Sequence, residues 1–157
     1  MPQPGDYGVT ATNSWVSAAI RWCCKSKVNH AFVVLDGGNI IEAQPNGARV
    51  RTVDEYPDAI YSRAPLTDKQ RASIVAYAKA EIGCRYNFLD IAAQLLVRVF
   101  GWHAPKFVLN RLADPERLQC AQLVDWVYEE SGIQLFPDGR PEGLVAPSDL
   151  LNLIQEG

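Results

Sequence analysis

The run Asp36-Gly37-Gly38-Asn39 separates two β-rich segments, Ala31 to Leu35 and Ile40 to Ala43. Two glycines flanked by Asp and Asn between such segments predict a hairpin, because glycine reaches the left-handed backbone angles that tight turns require. The hairpin commits the chain to antiparallel pairing and makes a demand on register. A three-residue loop would pair Asp36 with Ile40 and Val34 with Glu42. Side chains alternate along a strand, so His30, of the same parity as Val34, would then share a face with Glu42. A two-residue loop would pair Val33 with Glu42 and put the two on opposite faces. The even spacing of His30 and Glu42 thus requires the odd-length loop, with a bulge at Gly37 or Gly38.

Around this hairpin the chain alternates strand and helix signals. Gly5-Asp6-Tyr7-Gly8-Val9 reads as a turn entering a short strand. Asn13 or Ser14 caps a helix from about Trp15 to about Trp22, with Trp15, Ala18, Ala19 and Trp22 at helical spacing. Val50 to Val53 and Ala59 to Ser62 are further strand candidates. Thr67-Asp68-Lys69-Gln70 is a capping box for a helix reaching about Glu81, with Gly83 beyond its end. Asn87 to about Gly101 is apolar and helical in character, and Pro105 and Pro115 break the stretch that follows. A helix opens at Cys120 and runs to about Ser131, where Gly132 stops it. Pro137 to Pro141 is a loop, and Ala146-Pro147-Ser148-Asp149-Leu150 starts a last short helix. There is no repeat, low-complexity tract or linker. The order predicts one α+β domain over residues 1–157, a small antiparallel sheet packed against helices.

Of the 157 residues, 48% are hydrophobic and 21% charged, which suits a globular chain with a real core. The net charge of −3 argues against a nucleic-acid footprint, although Arg49, Arg51 and Arg63 would make a local basic rim. The four cysteines, Cys23, Cys24, Cys84 and Cys120, show no secreted disulfide spacing, so free thiols are expected. Cys23, Cys24, His30 and His103 fit no standard metal-ligand spacing, and neither a metal nor another cofactor is expected. There is no glycine-rich phosphate loop and no serine on a nucleophile elbow. The first residues lack the basic end and apolar stretch of a signal peptide, and no segment approaches the ~20 apolar residues of a transmembrane helix. A cytoplasmic protein without stable membrane insertion is the expectation. The stretch Ile91 to Trp102, near Arg98, His103 and Lys106, reads as an ordinary core helix, with peripheral membrane contact as the alternative.

The chemistry sits at Cys120. A thiol attacks as the thiolate, and a helix N-terminus or a neighbouring imidazolium lowers its pKa by several units. The backbone N–H groups of a helix start can also hold the oxyanion of an acyl-transfer intermediate, with Gln119 or Gln122 adding a side-chain donor. A lone cysteine is usually a buried structural residue. His30 changes that balance as a base, and Glu42 as the group that orients its other ring nitrogen. The three together read as a cysteine hydrolase whose base precedes its nucleophile in the chain.

These pieces resemble, in order and spacing, the permuted papain-like cysteine hydrolases of the NlpC superfamily, in the branch holding YiiX-like and lecithin-retinol-acyltransferase-like proteins. The matching segments are Gly5-Asp6, Ser14 to Ile20, His30-Ala31-Phe32-Val33, Ile41-Glu42-Ala43, Gly83-Cys84-Arg85-Tyr86-Asn87-Phe88, Cys120-Ala121-Gln122-Leu123-Val124 and Pro147-Ser148-Asp149-Leu150. The resemblance spans roughly residues 5 to 150. It implies a circularly permuted papain-like fold with Cys120 as nucleophile, His30 as base, Glu42 orienting the imidazole and Tyr86 lining the cleft. It implies amide cleavage in cell-wall-type peptides, or acyl transfer or thioester cleavage on lipids. A non-catalytic binding module is the third reading. The branch often has Cys-Ser-Glu where this chain has Cys120-Ala121-Gln122, and residues 88–119 have no clear counterpart.

Overall fold

The computed structural model describes residues 1–12, 26–44, 47–84, 120–140 and 145–156. The helices expected near Trp15–Trp22 and Asn87–Gly101, and Cys23, Cys24, Tyr86, His103 and Gln119, lie outside the described residues. Within them the chain is α+β. Five antiparallel strands, β1 (Tyr7–Thr10), β2 (His30–Val34), β3 (Asn39–Gln44), β4 (Gly47–Thr52) and β5 (Ile60–Tyr61), form one sheet in the order β4-β3-β2-β1-β5. Three described helices follow: α1 (Asp68–Ala80), α2 (Cys120–Glu130) and α3 (Pro147–Glu156).

The hairpin has the expected three-residue loop, one position earlier than expected. Asp36–Gly38 wind into a 3-10 turn, with Gly37 and Gly38 at φ 70° and 74°. The N–H of Leu35 donates to the carbonyl of Asn39 at 2.8 Å, and Asn39 Nδ2 donates to the carbonyl of Asp36 at 2.9 Å. Val34 therefore pairs with Ile40 and Phe32 with Glu42, two residues out from the expected register. The loop is odd in length either way, so parity survives and His30 and Glu42 share a face. The later strand candidates shift too. β4 starts at Gly47, Val53 falls in a 3-10 turn (Val53–Glu55), and β5 is only Ile60–Tyr61.

Alternation along β2 and β3 sorts the two cores. Odd-numbered Ala31, Val33 and Ile41 face the main one, with Ile74, Val75 and Ala78 of α1, Leu123, Val124, Val127 and Tyr128 of α2, and Leu150 and Leu151 of α3. Each fully buried aliphatic side chain here stabilises by about 1.5–3 kcal/mol relative to exposure. Even-numbered Phe32, Val34 and Ile40 form a smaller cluster on the opposite face, covered by Val53, Tyr56, Ala59 and Tyr61.

Helix α1 carries the expected capping box. Gln70 N–H donates to Thr67 Oγ1 at 3.3 Å, and Thr67 N–H donates to Gln70 Oε1 at 2.9 Å. The Gly5-Asp6 corner ties the first strand to the helices. Arg71 donates to Asp6 Oδ1 at 2.8 Å and to the Pro4 carbonyl at 2.9 Å, while the hydroxyl of buried Tyr128 donates to the Gly5 carbonyl at 2.7 Å.

Gly8 allows a close approach. A methyl group there would lie 2.5 Å from Phe32 Cε2, and that ring is wedged between Tyr56 and Tyr61 at centroid distances of 5.4 and 5.9 Å. Gly8→Ala is expected to destabilise the fold by about 1–3 kcal/mol through overpacking, measured as a lower urea midpoint. Adding Phe32→Leu should recover part of the loss. An unchanged midpoint in the single variant would mean that the ring is not confined.

Candidate active site

His30 is the first residue of β2, and Glu42 lies in the middle of β3. The ladder between these strands ends at Phe32 opposite Glu42, although β2 begins two residues earlier and β3 runs on to Gln44. Odd-numbered residues here send their N–H groups across to β3, as Leu35 does to Asn39. Continued pairing would direct the Ala31 N–H at Ala43; instead it lies near enough to the Cys120 thiol to favour its ionised form. The end of the hairpin thus opens toward the first turn of α2, which packs on β2 and β3 from the main-core side. That opening lets a cysteine on the helix face meet a histidine whose strand neighbours face the other way.

His30 and Glu42 are both buried, at 7% and 0% exposure, so neither is a surface hairpin residue. His30 Nε2 lies 2.7 Å from Glu42 Oε2. The ring nitrogen left over, Nδ1, is the one available to Cys120, which lies close enough for thiol and imidazole to shift each other's pKa. The three groups singled out from the sequence are thus brought together in one line, thiol to imidazole to carboxylate.

The electrostatics follow from this line. Burial alone pushes the Cys120 thiol up. The hydrogen bond and charge of His30, with backbone N–H groups of Ala31 and Ala121, outweigh it and hold the thiol below its usual 9.0. Burial likewise disfavours the imidazolium, but the hydrogen bonds and charges of Cys120 and Glu42 prevail and raise His30 to about 9. Glu42 is pushed up by burial and, more strongly, down by hydrogen bonds from His30 and Tyr56, the His30 charge and Gln44. All three shifts favour a thiolate beside an imidazolium beside a carboxylate. Cys120 keeps partial exposure as a residue.

Three neighbours of Glu42 were not singled out as site residues from the sequence. Tyr56 Oη donates to Glu42 Oε2 at 2.6 Å, and Gln44 Nε2 donates to Oε1 at 2.8 Å. Arg51 Nε lies 3.6 Å from Oε1, and Arg51 also pairs with Glu55 at 3.1 Å. Arg51 thus serves acidic partners on its own chain rather than a free basic rim. Parity along β3 places Gln44 on the Glu42 face; nothing in the sequence around Tyr56 marks it. Gln122, a candidate substrate contact, is buried in α2 at 6% exposure. Cys84 is a free, exposed thiol, and no group of three or more potential metal ligands gathers among the described residues. No described helix is long and apolar enough to cross a membrane.

No protein-family model matches the chain, and no curated protein matches it significantly.

Proposed function

We propose that the protein is a cysteine hydrolase of the permuted papain-like type, acting on an amide or ester carbonyl. One observation carries the reading: His30 is hydrogen-bonded to buried Glu42 and adjoins Cys120, with the thiol held below its ordinary pKa and the imidazole above. The ion pair is the resting state. The Cys120 thiolate attacks the carbonyl carbon, and the backbone N–H groups at the start of α2 stabilise the oxyanion. His30 gives its proton to the leaving amine as the carbon–nitrogen bond breaks, leaving an acyl thioester and a neutral imidazole. That imidazole then takes a proton from water as the water attacks the thioester. The products are the free acid and Cys120 with its proton returned to the pair. Glu42 holds the ring throughout.

The resemblance of the chain, with its His strand and Glu strand before its Cys helix, supports peptide substrates of the cell-wall type, with D-amino or γ-linked bonds. By the same resemblance Tyr86 lines the cleft, and Gln119 or Gln122, from their place beside Cys120, would add a side-chain donor to the oxyanion. The reading is tested by mixing the protein with a γ-linked D-amino peptide, a p-nitrophenyl ester, an acyl thioester and a phospholipid, followed by intact-mass analysis. A transient acyl adduct on Cys120 with turnover of the peptide, both absent in Cys120→Ala, is the expected result. Turnover of phospholipid alone would move the substrate class to lipids. A fast-alkylating Cys120 that none of these probes acylates would count against a hydrolase and favour a binding role.

A further inference from the structure

The mechanism above needs His30 to keep one ring nitrogen on Cys120 while its charge changes, and Glu42 can hold that orientation only if its own carboxylate cannot rotate. What fixes the carboxylate lies on the chain segment after β4. Glu42 Oε2 accepts two hydrogen bonds at once, from His30 Nε2 at 2.7 Å and from Tyr56 Oη at 2.6 Å. Tyr56 is itself held on three sides. Its N–H donates to the Val53 carbonyl at 3.2 Å, closing the 3-10 turn. Its ring stacks on Phe32 at 5.4 Å and 18°, and lies 5.7 Å from the His30 ring. Phe32 is in turn seated over Gly8, where no side chain competes for the space. The phenol therefore presents its proton to Glu42 from a fixed direction.

We infer that Tyr56 is a positioning residue of the site, whose hydroxyl fixes the rotation of the Glu42 carboxylate and through it the His30 orientation that serves Cys120. The inference rests on the Cys120–His30–Glu42 reading and extends it by one residue. The hydroxyl and the ring have separable roles: the ring fills the smaller core, and the hydroxyl is directed at the carboxylate. Burial and the adjacent Glu42 charge both raise the phenol's pKa, so it remains a donor across the range in which the site works. Gln44 restrains the same rotation from Oε1, but among these neighbours only the Tyr56 hydroxyl acts on the oxygen that His30 uses.

The test needs no substrate. The iodoacetamide rate of Cys120, resolved from the other cysteines by peptide mapping, is followed against pH in the parent, Tyr56→Phe, Glu42→Gln and the double variant. Circular dichroism melts confirm folding, which the retained ring of Tyr56→Phe should preserve. A carboxylate free to turn stabilises the imidazolium less, so the pH at which the thiolate forms should move upward in Tyr56→Phe. The rate at mildly acidic pH should fall about three- to tenfold, the effect of a pKa change of roughly half to one unit. In the Glu42→Gln background Tyr56→Phe should add little, because the two substitutions remove the same coupling. A Tyr56→Phe profile superimposed on a low-pKa parent profile overturns the inference and leaves Tyr56 a packing residue. A shift of undiminished size without Glu42 overturns it as well, since the hydroxyl would then act by another route. A parent Cys120 that titrates like a free thiol overturns the underlying active-site reading instead, so the two failures are distinguishable.

Discussion

Cys120 should react with iodoacetamide well below pH 8, and His30→Ala should abolish that advantage. An unperturbed thiol is only about 1% ionised near pH 6.5, so a cysteine held as thiolate gains up to about a hundredfold in reactive form. Part of the gain is lost because thiolates of lower pKa are weaker nucleophiles, leaving a net advantage of about tenfold. The chain carries its own reference. Cys84 is exposed, yet slight burial and the neighbouring Glu81 push its thiol up, so at pH 6.5 it should be slower than the less accessible Cys120. In His30→Ala the effect of burial on Cys120 loses its main opponent, and the order of the two thiols should reverse. In the proposed mechanism turnover needs the thiolate and the imidazolium together, so it should rise as pH passes the lowered Cys120 value. It should fall again as pH rises through about 9, where His30 gives up its proton. If Cys120 stayed slower than Cys84 at pH 6.5 in the parent, the ion pair would not exist.

Much of this site is legible in the sequence because strand parity is robust. The Asp36-Gly37-Gly38-Asn39 signal is strong enough to give an odd loop, and any odd loop puts His30 and Glu42 on one face. The position of the turn is not legible. Two adjacent glycines offer two placements of a three-residue loop, and Asn39 settles it by joining the strand while its side chain bonds back to Asp36. The capping box at Thr67 is a local signal, and α1 forms where its residues place it; α2 is described from Cys120 onward.

The rest depends on contacts between distant parts of the chain. Tyr56 follows a 3-10 turn, outside any strand or helix, and its place over Phe32 is set by where the turns through Val53 and Tyr56 fold the chain back over the sheet. The early end of the β2–β3 ladder is equally invisible. Periodicity continues through Ala31 and Ala43, and only the packing of α2 against the hairpin explains why the Ala31 N–H comes to act on the Cys120 thiol. The small even-numbered cluster gives the chain a sheet with one face under helices and the other under a loop. Glu42 sits between these layers, which is why a hairpin carboxylate that sequence alone would leave in solvent is instead fully enclosed.

That enclosure makes Glu42 the most costly single position in the site. It is 0% exposed and accepts from His30, Tyr56 and Gln44 at 2.7, 2.6 and 2.8 Å. Glu42→Ala would leave a buried imidazole, a phenol and an amide without their acceptor, and leave Arg51 Nε, buried and without a hydrogen-bond partner, next to a void. Breaking a buried charged pair from one side costs about 3–5 kcal/mol, a large share of the stability of a chain this size. Glu42→Gln keeps the volume and one oxygen but sets an N–H₂ group against donors, so its loss should be smaller, about 1–3 kcal/mol. The thiol should report the reverse emphasis. With no carboxylate to balance the imidazolium, Glu42→Gln should slow Cys120 alkylation near pH 6.5 by about ten- to a hundredfold, one to two pKa units of lost support. Urea midpoints and alkylation profiles on the same preparations separate the two effects. The sign with pH is fixed as well. Glu42 is held below its ordinary value, so its contribution to stability is present above about pH 4.5 and is lost as pH falls through the lowered value. The parent should therefore lose its urea midpoint in acid more steeply than Glu42→Gln does. A Glu42→Gln protein with parental thiol reactivity and a lowered midpoint would make Glu42 a structural carboxylate and leave His30 to be oriented by its burial and by Cys120 alone.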